Sequence, residues 1–234
     1  MATKSVYLSE PVVEGEQLRV SGDEHHHLAV ARAEKGEAVE VFDGRGRVWS
    51  TEVLSVSRRE TILRILESHR VEQSGPDLIL GLGLVKPAAF EFALEKAVEV
   101  GVTRIVPLIA TRANAAPGRR QERWKRIVIE AAKQSKRYHL PAVDEPVRFP
   151  DILDFAAKTK IVFAERGGGP LKSALAGSPV LFLVGPEGGW TDAELEAARR
   201  KAFHLVDLGD GILRSETAAI VGAALIRYEL RRTM

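Results

Sequence analysis

Apolar and polar residues alternate with period two in four runs of the first seventy positions, 17–20, 38–42, 48–54 and 61–66, the pattern of strands with one buried face. Asp43-Gly44, between the second and third runs, is a hairpin-turn signal, because glycine accepts the positive φ that a tight turn requires. Several short strands joined by turns predict a small β barrel. Barrels of this size are common nucleic-acid platforms, and the same pattern also suits a purely structural barrel. Between the first two runs, Asp23 or Glu24 is expected to cap a short helix that continues through Ala33 and is ended by Gly36.

The polar, turn-rich stretch VEQSGPD at 71–77 interrupts this pattern, and the periodicity changes after it. A domain boundary is expected there, dividing the chain into residues 1–72 and 73–234. The second part reads as strand (78–85), helix (88–100, closed by Gly101), strand (104–109), helix (120–137), short helix (151–158) and strand (160–164). Two further strands, 181–184 and 205–208, each run through a glycine-rich loop into a helix. Alternation of β and α elements predicts an α/β domain built on a mainly parallel sheet with helices on both faces.

The helix at 120–137 is the most basic part of the chain. Arg119, Arg120, Arg123, Lys125, Arg126, Lys133, Lys136 and Arg137 face only Glu122 and Glu130 in sequence. Trp124, Ile127, Val128, Ala131 and Ala132 recur at helical spacing and should form its buried stripe. Such a basic face is at its simplest a solvated surface, yet so many like charges repel one another unless something anionic lies nearby. Contact with an RNA backbone through Arg123, Arg126, Lys133 and Arg137 follows as the functional reading.

His25, His26 and His27 do not suggest a metal site. Three consecutive residues cannot all face one point, and no carboxylate stands at a ligand spacing to them, so no metal is expected. A histidine of this run and Arg32 could instead touch phosphates, with Arg45 and Arg47 on the hairpin tip extending that surface.

In open α/β sheets small ligands bind at loops on the carboxyl ends of strands, and helix N-termini favour anionic groups. Gly185-Pro186-Glu187-Gly188-Gly189 is such a loop, with neither the lysine of a Walker loop nor Rossmann spacing. Thr191 and Glu194 have capping-box spacing, so a helix should begin at Asp192 with its amides facing the loop. The second loop reads Leu208-Gly209-Asp210-Gly211-Ile212-Leu213-Arg214, with Ser215 as N-cap and Glu216 and Thr217 in the first turn. Beyond it Ala218, Ala219, Gly222, Ala223 and Ala224 are small enough to admit close packing, inside the fold or across a dimer. Glu187 among its glycines and Arg214 at the mouth of an apolar loop are the charged side chains that packing does not explain.

Composition narrows this picture modestly. At 234 residues, 45% hydrophobic and 28% charged, the chain is of ordinary globular type. A net charge of +2 and a pI near 8.9 allow an acidic partner without demanding one. The absence of cysteine removes disulfides, thiolate metal sites and cysteine nucleophiles. Neither a long apolar span nor a signal-peptide core is apparent, so a cytoplasmic protein with no membrane contact is expected.

A strand ending in GPEGG, followed about twenty residues later by LGDGILRSETAA and an alanine-rich helix, resembles the SPOUT class of S-adenosylmethionine-dependent RNA methyltransferases. More narrowly it resembles the RsmE family, which methylates ring nitrogen 3 of a uridine in 16S ribosomal RNA. Supporting matches are His26, Arg32 and Phe42-Asp43-Gly44, then Lys86, Lys96 and Glu99-Val100-Gly101-Val102, then Arg123-Trp124 with Gln134 and Arg137. The chain departs from the family pattern at Lys133 and in Thr111-Arg112-Ala113-Asn114, where only Arg112 carries over.

The resemblance implies a PUA-like barrel followed by a domain with a deep trefoil knot. Loops from Leu183 to Gly189 and Leu208 to Leu213 would hold S-adenosylmethionine at a homodimer interface. The donor-binding residues would be Leu183, Val184, Gly185, Glu187, Gly188, Gly189, Leu208, Gly209, Ile212, Leu213, Arg214, Thr217 and Ala218. Contacts to RNA, as free 16S ribosomal RNA or the assembled small subunit, would come from His26, Arg32, Lys86, Arg123, Arg126, Lys133 and Arg137. The uracil imide proton must leave before nitrogen 3 attacks a methyl group, so Arg112 and Arg214 are candidates for stabilising the anion or gripping phosphate. Glu187 is the first candidate for orienting donor or target, with general base as its second role. A ribose 2′-O methyltransferase and a non-catalytic RNA-binding assembly factor are the alternatives.

Overall fold

The computed structural model describes residues 3–113 and 120–232. The chain forms two compact units: Met1–Gln73 with Ala132–Leu140, and Ser74–Ala131 with Pro141–Met234.

The first unit contains β1 (Lys4–Tyr7), β2 (Val12–Glu14), β3 (Gln17–Ser21), α1 (Gly22–Val30), β4 (Ala38–Phe42), β5 (Arg47–Val56) and β6 (Glu60–Arg70). These strands make one six-stranded sheet in the order β1-β4-β5-β6-β3-β2, with β1 parallel to β4 and the other pairs antiparallel. Alternation works as expected in β3, where Leu18 and Val20 are buried and Gln17, Arg19 and Ser21 are exposed. Their side chains join Val6, Val39, Val41, Trp49, Val53 and Leu63 in one core, closed by Leu28 of α1. The β4–β5 turn is held by Asp43, whose Oδ1 accepts from the backbone N–H of Arg45 at 2.7 Å and of Arg47 at 3.0 Å. Gly44 takes the positive φ, 72°.

Two strands add to the four expected, and the expected helix needs correction. β1 and β2 carry no alternating signal; all three residues of β2 are exposed. The N-cap of helix α1 is Ser21 rather than Asp23 or Glu24, and the helix runs from Gly22 to Val30 rather than through Ala33. Asp23 and Glu24 instead occupy its first turn, where negative charge suits the helix dipole. One member of the histidine run has a packing role: His25 is buried, with Nδ1 2.9 Å from Thr61 Oγ1 of β6.

The second unit contains β7 (Leu78–Gly83), α2 (Pro87–Val100), β8 (Arg104–Ile109), most of α3 (Gln121–Ser135), β9 (Ala142–Val143), β10 (Val147–Arg148), α4 (Phe149–Ile152), β11 (Thr159–Phe163), α5 (Leu171–Ala174), β12 (Val180–Val184), α6 (Asp192–Arg200), β13 (His204–Val206) and α7 (Ser215–Arg232). Its seven-stranded sheet runs β10-β8-β7-β12-β11-β13, with β9 also paired to β8, and every pairing is parallel. All five residues of β12 are buried, which is what a strand covered on both faces requires. The α/β expectation is met, with Gly101 in the left-handed conformation at φ 100° ending α2. The expected helix at 151–158 is shorter and earlier, because Pro150 sets its first turn and α4 ends at Ile152.

Inside β7, Gly81 and Gly83 mark close approaches. A Cβ on Gly81 would lie 2.5 Å from Leu183 Cδ2, and one on Gly83 would lie 2.5 Å from the Pro186 nitrogen. Glycine within a strand interior signals such proximity, and here it brings β7 against the loop that follows β12.

Candidate functional site

Neighbouring parallel strands β12, β11 and β13 end at the same edge, and the loops that leave them surround a cavity of about 360 Å³. That is within the roughly 300–1,000 Å³ of small-molecule pockets. One wall is Val184, Gly185, Pro186, Gly188, Gly189 and Trp190; another is Leu208, Gly209, Gly211, Leu213, Ser215 and Ala218. The remainder comes from Phe163 to Arg166, Asp192, Leu195 and Arg112.

The loop after β12 is built tightly. Gly189 donates its N–H to the Pro186 carbonyl at 2.8 Å and has φ 65°, closing a turn over Glu187 and Gly188. Trp190 donates Nε1–H to the Phe163 carbonyl at 2.9 Å and its ring lies 5.1 Å from that of Phe149, which ties this loop to the end of β11. A Cβ on Gly185 would meet the Trp190 ring at 3.1 Å, so the main chain itself forms the cavity surface.

Arg112 enters from the end of β8. Its Nη1 donates to the carbonyls of Gly188 at 3.1 Å and Trp190 at 3.2 Å. The preceding residue is fixed by Glu194: its Oε1 accepts from the Thr111 N–H at 2.9 Å, while Oε2 accepts from the Thr191 N–H at 2.8 Å and the Thr191 hydroxyl at 2.9 Å. The Thr191 hydroxyl in turn accepts from the Glu194 N–H, so the expected capping box at the start of α6 is present. One carboxylate therefore caps a helix and holds the Arg112 segment against the glycine loop.

Burial pushes the Glu194 carboxyl up, but the N–H groups of Thr111 and Thr191 and their hydroxyls outweigh it and leave it below its ordinary 4.5. A carboxyl lowered on folding stabilises fully above its unfolded value, and that contribution is lost as pH falls through the folded one. Glu194→Gln should therefore lower stability by about 1–2 kcal/mol at neutral pH. Thermal melts from pH 7 to pH 3 should show the gap to wild type closing below about 4.5; a constant gap would contradict this role.

The terminal helix reaches the cavity by way of its small residues. A Cβ on Gly222 would lie 2.4 Å from Phe163 Cε2, so the glycine admits a ring that lines the cavity. The loop after β11 supplies Glu165 and Arg166, which the sequence reading did not single out. The signal was available: Glu165-Arg166-Gly167-Gly168-Gly169 follows a strand just as the other two glycine-rich loops do.

Of the residues expected to bind the donor, Val184, Gly185, Gly188, Gly189, Leu208, Gly209, Leu213 and Ala218 line the cavity. Leu183 does not: its side chain points into the sheet core with Val106, Leu108, Ile152 and Leu181, because successive residues of a strand face opposite sides. Glu187, Ile212, Arg214 and Thr217 also lie off the lining, and the first three are exposed.

The cations expected to meet RNA are distributed differently from the sequence reading. His26 and Arg32 are exposed in and just beyond α1, and Lys86 is exposed immediately before α2. Arg126 is exposed on α3, and Arg137 is half-buried just beyond it. Arg123 grips Glu91 with both arms, Nε to Oε1 at 2.5 Å and Nη2 to Oε2 at 2.6 Å, and this holds the Glu91 carboxyl below the usual range. Lys133 corrects the expectation outright. It is 8% exposed and its Nζ lies 3.2 Å from both carboxylate oxygens of Glu24, so it is a buried ion-pair partner rather than a surface contact. Lys136 meets Glu40 at 2.7 Å, and Glu40 also accepts from the Tyr138 hydroxyl, which burial helps push up to about 12. The anionic partners that so basic a helix calls for are thus partly internal. Arg119 and Asn114 lie outside the described residues. Among the described residues no helix is long and apolar enough to cross a membrane.

Comparison with known proteins agrees with this geometry. The family described as RNA methyltransferase domain matches residues 72–227, and the RNA methyltransferase PUA domain matches residues 20–66. The chain is 33% identical over 97% of its length to a protein of Synechocystis sp. named ribosomal RNA small subunit methyltransferase E, covering 77% of that protein. It is 32% identical over 88% of its length to the Aquifex aeolicus protein of the same name, covering 92% of it. A crystal structure of a ribosomal RNA small subunit methyltransferase E from Neisseria gonorrhoeae, bound to S-adenosylmethionine, superposes with a TM-score of 0.90 at 29% identity, over 97% of this chain and 98% of that one.

Proposed function

The chain belongs to the ribosomal RNA small subunit methyltransferase E family, and from that membership we propose that it transfers a methyl group from S-adenosylmethionine to ring nitrogen 3 of a uridine in 16S ribosomal RNA. The observation that carries this reading is the backbone-walled cavity at the ends of β11, β12 and β13, in a fold that superposes on a relative with the donor bound.

The cavity fits that donor in kind. Val184, Leu208, Leu213 and Ala218 offer apolar surface for a purine ring, while glycines on two walls let main-chain N–H and carbonyl groups reach its polar edge. Glu165, Asp192, Arg112 and Arg166 supply both signs of charge for a zwitterionic amino-acid moiety. When bound, S-adenosylmethionine supplies an electrophilic methyl group on a sulfonium. The protein must bring uracil nitrogen 3 into line with it and favour loss of the imide proton. We assign anion stabilisation to Arg112 and Arg214 and orientation of the target to Glu187. In this reading Leu183 supports the pocket from behind, through the sheet core.

Exposed apolar side chains in the last loop and on α7 support a homodimer. Ile212 is 76% exposed, and Leu225 and Tyr228, three residues apart and so on one side of α7, are also exposed. In a dimer these side chains would be covered, and Ile212, Arg214 and Thr217 would complete the site. A cytoplasmic location accords with a ribosomal RNA substrate.

Isothermal titration with S-adenosylmethionine separates this reading from an RNA-binding assembly factor. Saturable binding is expected, and no heat at millimolar donor would overturn it. Gly83→Ala provides a structural check on where the donor sits. The new methyl group would press on the main chain at Pro186 and Gly185, at 2.5 and 2.8 Å. Overpacking of that kind costs about 1–3 kcal/mol. If it falls on the loop rather than on the fold, donor affinity drops about 5- to 150-fold. Unchanged affinity in the folded variant would show that the loop after β12 does not touch the donor.

A further inference from the structure

The six-stranded sheet pairs its arginines with acids, with one exception. Arg64 on β6 faces Glu52 on β5, its Cα partner, at 2.6 Å, and Arg19 on β3 lies 3.5 Å from Glu60 and 3.6 Å from Glu14. At the other end of the β5–β6 ladder the cross-strand partner of Arg47 is Arg70. Like charges directly opposite one another in an antiparallel pair are destabilising. Both arginines are exposed, and among the described residues neither has an ion-pair partner.

The surroundings do not relieve this repulsion. Asp43, the acid of the adjoining hairpin, uses Oδ1 on the backbone N–H groups of Arg45 and Arg47. Arg45, on the tip of that hairpin, is a third exposed arginine. The Arg47 guanidinium lies 5.2 Å over the ring of Trp49, which is itself buried in the core of this unit. Stacking fixes the plane of a guanidinium while leaving its edge N–H groups available, the arrangement that suits phosphate oxygens.

We propose that Arg47 and Arg70, flanked by Arg45, form a clamp for the phosphate backbone of the RNA substrate. A phosphodiester shared by the two guanidiniums turns the repulsion of the apo protein into charge-assisted hydrogen bonding. Contacts to phosphate position RNA without reading its sequence, so this site sets register and affinity rather than the choice of base. The inference rests on the reading that the chain acts on ribosomal RNA, and it adds a site to the cations of α1 and α3.

The test uses the full-length protein, its Arg70→Gln variant and the Arg47→Gln/Arg70→Gln variant, with a fluorescent fragment of small-subunit ribosomal RNA. Fluorescence anisotropy over a range of salt gives affinity and salt slope, and thermal melting and donor titration accompany it. The double variant should bind RNA about tenfold more weakly and lose about 0.7–0.9 from the salt slope, the contribution of the one phosphate that the two arginines share. The melting temperature of Arg70→Gln should equal or exceed that of wild type, because a repulsion is removed, and donor affinity should not change. Unchanged RNA affinity and slope would overturn the clamp, as would a lower melting temperature in Arg70→Gln, which would make the pair structural. Failure of the wild-type protein itself to bind the RNA would overturn the underlying RNA reading, an outcome visible before any variant is compared.

Discussion

Arg214→Ala should lower the rate constant of methyl transfer about 100- to 1,000-fold while leaving the protein folded and able to bind S-adenosylmethionine. Removing one preorganised donor from a developing anion costs about that much in kcat. The geometry makes this a clean experiment. The Arg214 side chain is exposed and off the cavity lining, while its contribution to the fold is a backbone carbonyl that accepts from the Ala218 N–H at 2.8 Å. Truncation leaves that bond in place. Glu187→Ala should behave similarly, since Glu187 is exposed between glycines whose turn is closed by main-chain atoms. Single-turnover kinetics at saturating donor isolates the chemical step. Full activity in either variant would remove that residue from the mechanism. A loss confined to RNA affinity in Arg214→Ala would assign that arginine to phosphate instead.

Lys133→Met should destabilise the fold by about 3 kcal/mol, because it takes a buried counter-charge away from the half-buried Glu24 carboxylate. The pair is well shielded, with side chains 7% exposed for Lys133 and 13% for Glu24, so water cannot substitute for the lost ammonium. Adding Glu24→Leu to Lys133→Met should restore most of the loss, since an apolar pair of similar volume is often no worse than a buried ion pair. Urea unfolding of both variants measures this. If Lys133→Met unfolds at the wild-type midpoint but binds RNA more weakly, Lys133 is a surface contact after all.

The Lys133 case shows where sequence reading reaches its limit. Charge density along α3 was plain, but the acids that answer it stand far away in sequence: Glu91 is 32 residues from Arg123, Glu40 is 96 from Lys136, and Glu24 is 109 from Lys133. No local count of charges contains them. Strands β3 to β6 were legible because half-burial imposes alternation, whereas β1 and β2 are short and β2 buries nothing. The two glycine-rich loops after β12 and β13 were legible as a ligand crevice because loop chemistry and helix caps are local. The third loop, at 165–169, and the strand glycines Gly81 and Gly83 carry signals of the same kind. Their meaning appears once the parallel order sets β7 and β11 on either side of β12. Leu183 was assigned to the pocket by its place in a motif, and the two-residue period of β12 turns it to the core instead.

The central claim is that this chain methylates ring nitrogen 3 of a uridine in small-subunit ribosomal RNA. The most direct measurement incubates the purified protein with small ribosomal subunits lacking the modification and S-adenosylmethionine carrying a labelled methyl group. Digestion to nucleosides and mass spectrometry then locate the label. Wild type is expected to give labelled 3-methyluridine, and Arg214→Ala to give the same product about 100- to 1,000-fold more slowly. Label on a ribose 2′-oxygen, or no transfer from a donor-bound wild-type protein, would contradict it.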